Sequence, residues 1–275
     1  MMLMLRQRNR YKIFMAGVAA AAILLSVFRI VVMINHIQIN TVGIDFYLDR
    51  VPAVTAFDIS AAAICIAAAV FSFFLGKTAS RKLEYDTAAV IFTSALSGFM
   101  TLSSGLYLLY RFFAARELFY AYDIIPVIFT LLASAAFFLY SSKKVSAFSP
   151  VTAYFGLLPV IAVAARLIVD YVSQKDYPST DINAYHILGL LALTLFFVNE
   201  GKFAIGKGSP FFYMLFGSVS VILLFVYSVP YIVLAAFWLM PLNDMVMYSA
   251  LDIIAALYIL SRFMSLAPAE REKTD

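Results

Sequence analysis

Residues 210–239 read PFFYMLFGSVSVILLFVYSVPYIVLAAFWL, a thirty-residue apolar run with Pro230 inside it. A hydrocarbon core about 30 Å thick is crossed by about 20 apolar residues at 1.5 Å each. This run therefore spans a bilayer with length to spare, and must tilt, kink at the proline or extend past the interface.

Working outward, seven further apolar segments stand apart: Ile13 to Ile34, Pro52 to Leu75, Thr87 to Phe112, Ile124 to Tyr140, Pro150 to Val172, Ala184 to Val198, and Met245 to Phe263. Ala184 to Val198 is the shortest of the eight. Composition agrees with this reading. Of 275 residues, 64% are hydrophobic and 13% charged, against roughly 45–50% and about 25% in soluble domains. Mean hydropathy is +0.92. A soluble globule, a disordered chain and a disulfide scaffold are excluded; the lone Cys65 has no partner for a disulfide. The expected fold is an all-α polytopic membrane protein with eight transmembrane helices in one integral domain over residues 1–275.

Charge placement supplies orientation. Fourteen of the 20 Lys and Arg fall at the termini or in the even-numbered connections: Arg6, Arg8, Arg10, Lys12; Lys77, Arg81, Lys82; Lys143, Lys144; Lys202, Lys207; Arg262, Arg271, Lys273. The opposite loops carry Arg50, Arg116 and Lys175 against Asp45, Asp49, Glu117, Asp170, Asp176, Asp181 and Asp244. All loops are short, so the excess of basic residues marks the cytoplasmic side. Both termini are expected there, with residues 264–275 as a short cytoplasmic tail, in a multi-pass protein of the plasma membrane. The basic start ahead of a long apolar run, with no small-residue cleavage site closing it, reads as an uncleaved first span. Eleven of the 17 Tyr fall toward the outer side, Tyr185, Tyr227, Tyr231 and Tyr248 among them. An aromatic belt is the ordinary explanation; an outward aromatic vestibule is the other.

The even segments begin alike, at Phe57-Asp58-Ile59, Tyr122-Asp123-Ile124, Tyr185-His186-Ile187 and Leu251-Asp252-Ile253. The polar positions are 65, 63 and 66 residues apart. A fixed period of this kind suggests four tandem helical hairpins, over 13–77, 87–143, 150–202 and 210–263. Two-span units share one orientation, so these repeats are parallel.

Polar residues within the spans are the candidate site. Arg29 and Arg166 each lie 16 residues past the start of their segment, roughly 24 Å from the cytoplasmic end. Asp58, about 9 Å below the outer end, sits at similar depth. Asp123, His186 and Asp252 occupy the equivalent repeat positions. A charge at mid-membrane costs at least ~2.5–3.5 kcal/mol unless it faces a partner or water. Arg29, Asp58, Asp123, Arg166, His186 and Asp252 are therefore read either as a ligand or ion pocket or as capping and Arg–Asp pairing. Pairing is the commoner outcome. Asp123 suits an N-cap, and Arg166 can reach Asp170 four residues on. The small residues Gly17, Ala19 to Ala22, and Ser60 through Ala69 predict close helix packing. Pro159 and Pro230 each free a carbonyl one turn back.

Catalytic motifs fail on their own chemistry. Gly201 to Gly208 misses a phosphate-binding loop, because the position after Lys207 lacks the hydroxyl that ligates magnesium and a helix stands where a strand is needed. Ser103-Ser104-Gly105 and His186 do not assemble a hydrolase, and Glu200 beside Asn199 finds no catalytic role. No catalytic residue, metal, cofactor or nucleic-acid partner is expected. What the residues suggest is a transporter-like or sensor-like module that binds a small solute or ion through an outward-facing polar cluster. The alternative is a non-enzymatic scaffold or assembly subunit whose charges are structural. Beyond the lipid bilayer, signalling would need a partner membrane subunit, since the tails and loops are too short for a soluble effector domain.

Overall fold

The computed structural model describes residues 2–40, 43–47, 52–83, 87–114, 124–142, 150–173, 180–237 and 244–268. Among these the chain forms eight helices: α1 (Met2–His36), α2 (Pro52–Gly76), α3 (Ala88–Ala114), α4 (Ile124–Tyr140), α5 (Pro150–Ser173), α6 (Thr180–Ala204), α7 (Pro210–Ala236) and α8 (Asp244–Phe263). Two antiparallel ribbons of short extended segments join connections: β1 (Ile37–Asn40) with β2 (Gly43–Tyr47), and β3 (Ala79–Leu83) with β4 (Leu266–Pro268). Pro52, Pro150 and Pro210 each open a helix, in the first turn, where a missing N–H costs no internal hydrogen bond.

Seven of the helices are long and apolar enough to cross a membrane. The exception is α4, with 17 residues. The expectation that the sixth apolar segment is the shortest is thus corrected. α6 starts at Thr180 and continues through Asn199 and Glu200, giving 25 residues. An apolar count stops at the first polar side chain, whereas a helix continues wherever that side chain finds a partner. Likewise α1 begins well before Ile13, so the basic residues of the N-terminus extend the same helix.

From α3 to α8 each helix packs on the next, and α8 returns to α3, closing a ring of six. Thr93 and Ser261 share a 2.5 Å hydroxyl contact across that closing seam. α1 and α2 lie outside the ring and pack on α7. The first helix pair therefore occupies a different position from the other three. α7 is the shared wall, with 67% of its span buried, against 17% for α2. On α2 the side chains of Ile59, Ile66, Phe71 and Phe74 are exposed. So large an apolar surface would drive association in water, and in lipid it is simply solvated. The chain is a multi-pass, helical integral membrane protein.

Of the small residues expected to pack closely, Ala22, Ala61 and Ala68 are buried in the core, whereas Gly17, Ala21 and Ala67 line an apolar groove of about 610 Å³, and nothing lies within 4 Å of a Cβ placed on Gly17. Close approach also occurs between α3 and α4, where Cβ atoms at Gly98 and Gly105 would meet Phe138 and Leu131 at 2.9 and 2.7 Å. The glycines after α6 serve a turn. Gly206 adopts φ 73°, a left-handed conformation that costs L-residues energy. At Gly208 a Cβ would come within 2.3 Å of the Phe203 ring. The side chain of Asn199 then receives the amide of Ser209 at 3.1 Å and donates to its carbonyl at 2.7 Å, fixing the residue that caps α7.

Candidate functional site

Arg166 enters the ring from α5 and Asp252 from α8, and both are buried. The guanidinium grips the carboxylate with two parallel bonds, Nη1 to Oδ1 at 2.6 Å and Nη2 to Oδ2 at 3.1 Å. A bidentate pair of this form is among the strongest side-chain interactions. His186, from the first turns of α6, completes the cluster. Its Nε2 lies 2.9 Å from Arg166 Nη2 and 3.2 Å from Asp252 Oδ2. Arg166 only donates and the carboxylate only accepts, so this nitrogen serves the arginine when bare and the aspartate when protonated. Ser228 of α7 donates to Asp252 Oδ2 at 3.2 Å. Asp170 stands 3.6 Å from both Arg166 Nε and His186 Nδ1. Aromatic rings enclose the assembly: Tyr227 stacks on His186 with centroids 4.1 Å apart, and the Tyr248 ring lies 4.4 Å from the Arg166 guanidinium carbon.

Arg29 reaches this cluster through Tyr227. Its Nη1 donates to the Val226 carbonyl at 3.1 Å. Val226 is the residue whose carbonyl Pro230, four positions on, leaves without its helical donor. The arginine of α1 thus replaces the N–H that α7 lacks, while its guanidinium carbon sits 5.0 Å from the Tyr185 ring and 6.0 Å from the Tyr227 ring. Asp58 accepts a hydrogen bond from the Tyr185 hydroxyl and is itself exposed. Of the six residues singled out in the sequence, Arg166, His186 and Asp252 touch directly. Arg29 and Asp58 join through tyrosines, and Asp123 lies outside the described residues. Asp170, counted above among loop acids, belongs to α5 and to the cluster.

Directly against Arg166 and Asp252 lies a cavity of about 60 Å³, lined from α3, α4, α5, α6 and α8. Ser97, Thr101 and Thr130 line it from α3 and α4. The Ser97 hydroxyl is buried and finds no hydrogen-bond partner among the described residues. At about 30 Å³ per water, the space holds roughly two waters with polar partners on several sides. Phe137 and Phe197 also line it, and their rings pack on that of Tyr258 with centroids 5.2 and 6.1 Å away.

A second buried charge pair lies beyond those rings. Arg262 Nε donates to Glu200 Oε1 at 2.5 Å, and the Tyr258 hydroxyl donates to the same oxygen at 3.0 Å. Arg262 was counted among residues facing the cytoplasm; it is fully buried in the last turn of α8. Glu200 is its counter-ion, which accounts for the acid left without a role in the sequence. The signal was there in the form of two charges near the same ends of even-numbered helices, 62 residues apart. Among the described residues no three His, Cys, Asp or Glu side chains gather as metal ligands. Set against known protein families, curated proteins and solved structures, the chain matches none of them.

Proposed function

We propose that this protein binds or moves a small ion or solute through the cluster of Arg29, Asp58, Arg166, His186 and Asp252, as a non-enzymatic transporter-like or sensor-like membrane module. The observation that carries the reading is the cavity against the Arg166–Asp252 pair, lined by the unpartnered Ser97 hydroxyl. An ion pair that only locks helices together needs no polar space beside it. The cavity's size favours a particle on the scale of one or two waters, since drug-sized ligands occupy about 300–1,000 Å³. The distribution of Lys and Arg supports an arrangement of eight spans in four parallel hairpins, both termini cytoplasmic and the cluster toward the outer face of the plasma membrane.

The rival reading is a scaffold or assembly subunit that works beside a partner membrane protein. Its support is the completeness of the bidentate Arg166–Asp252 grip, which already satisfies both charges. Currents from proteoliposomes on a solid-supported membrane separate the two. With the full chain reconstituted, steps in Na⁺, K⁺, Cl⁻, acetate or pH are expected to evoke a response to at least one ion. Asp252→Asn, matched in size and still folded by size-exclusion chromatography, is expected to lose it. A wild-type protein silent to every step, with Asp252→Asn lowering only thermal stability, establishes the scaffold instead.

A further inference from the structure

We infer that Glu200 is a proton-binding site in the same ring of helices, and that the particle exchanged between it and the Asp252 cluster is the proton. This rests on the proposed ion-binding role of that cluster and names its substrate. Four observations combine. The Glu200 side chain is buried, and its Oε2 has no hydrogen-bond partner among the described residues, while Oε1 receives both Tyr258 and Arg262. Oε2 therefore keeps its hydrogen-bonding capacity unused, whereas Oε1 already accepts two bonds. Second, the two clusters are built from the same helices: His186 and Glu200 on α6, Asp252 and Arg262 on α8. Along α8 the ten residues from Asp252 to Arg262 rise about 15 Å. Third, the cavity beside Asp252 has room for about two waters and carries the hydroxyls of Ser97, Thr101 and Thr130 within an otherwise mostly apolar lining. Fourth, Phe137 and Phe197 of the cavity lining pack on Tyr258, whose hydroxyl donates to Glu200, so these rings link the cavity to the carboxylate.

The groups facing Glu200 are the Tyr258 phenol and the Arg262 guanidinium from α8, with Tyr140 of α4 and Tyr213 of α7 interacting with Tyr258. The ring cluster acts as the gate. When Phe137 or Phe197 swings aside, water from the cavity reaches the carboxylate. A proton leaves Nε2 of a protonated His186 for Asp252 Oδ2, 3.2 Å away, is handed from that carboxyl to the waters of the cavity that Asp252 lines, and by exchange of O–H bonds forms an O–H bond at Glu200 Oε2. The imidazole returns to its neutral form, accepting from Arg166. No electron is transferred, and one positive charge moves from the Asp252 cluster to Glu200.

The full chain in liposomes holding a pH-sensitive dye, under a valinomycin-set potassium potential, reads this directly. Internal acidification faster than in protein-free vesicles is expected, and Phe137→Ala should raise it at least five-fold by opening the gate. Dicyclohexylcarbodiimide, which adds to protonated carboxyl groups in apolar surroundings, should label Glu200 in the wild-type chain and stop the flux. The carbodiimide arm needs no variant and so does not depend on whether Glu200→Gln folds. Protein vesicles and Phe137→Ala vesicles no leakier to protons than empty ones overturn the inference, as does full flux after the reagent with Glu200 unlabelled. If Na⁺, K⁺ or Cl⁻ moves and the proton does not, the inference fails while the small-ion reading stands.

Discussion

Arg29 shows what a single side chain does in a solvent that offers no hydrogen bonds. A proline inside a helix removes one N–H, and the freed carbonyl costs energy in an apolar interior. Here the Val226 carbonyl and the Arg29 guanidinium, each expensive in isolation, satisfy one another at 3.1 Å. The two residues should therefore be energetically coupled. Pro230→Ala restores an amide that competes for the carbonyl, so Arg29→Met should cost less in that background than in the wild type. A double-mutant cycle on thermal unfolding in detergent is expected to give about 1–2 kcal/mol of interaction. Strict additivity would show that the arginine is held by its tyrosines rather than by the carbonyl.

At the scale of elements, the connection from α6 to α7 controls how two buried helices meet. Gly208 has no room for a side chain beside Phe203, and Asn199 ties both backbone groups of Ser209. Gly208→Ala should destabilise the protein by about 1–3 kcal/mol, seen as a lower midpoint in a thermal unfolding series in detergent. An unchanged midpoint would mean that the Phe203 ring moves aside freely. The same turn explains why a near-match to a phosphate-binding loop appears in an apolar protein: its glycines serve a tight reversal and a packed ring. The near-match was legible in residue order; the packing that accounts for it depends on Phe203, which only the folded turn brings back over Gly208.

For the whole molecule, span positions were legible because lipid demands about 20 apolar residues per crossing, a constraint written in local composition. The meeting of Arg166, His186 and Asp252 was legible through depth, since position along each segment converts to height in the bilayer. Rotation about each helix axis was not. Nothing local in the residues around Glu200 or Arg262 says that α6 and α8 turn those side chains toward each other, nor that α8 closes on α3 while α1 and α2 stay outside. Ring order is decided by side-chain fit among distant segments. Orientation in the membrane is testable separately: with eight spans and basic residues held inside, fluorescent-protein fusions at both ends should glow and alkaline-phosphatase fusions at both ends should stay inactive. Opposite results at the two ends would leave an odd number of crossings and remove α4 from the spans.

The link between Arg29 and Val226 joins positions 197 residues apart, and that separation bears on biogenesis. At roughly 5–20 residues per second of synthesis, about 10–40 s pass before the ribosome has made the carbonyl that the arginine will bind. For that interval the first helix carries its arginine without this acceptor, which favours a longer stay at the lateral gate of the translocon, against an insertase, or beside a lipid phosphate. Slowing elongation should then lengthen the stay of the nascent chain at the insertion machinery.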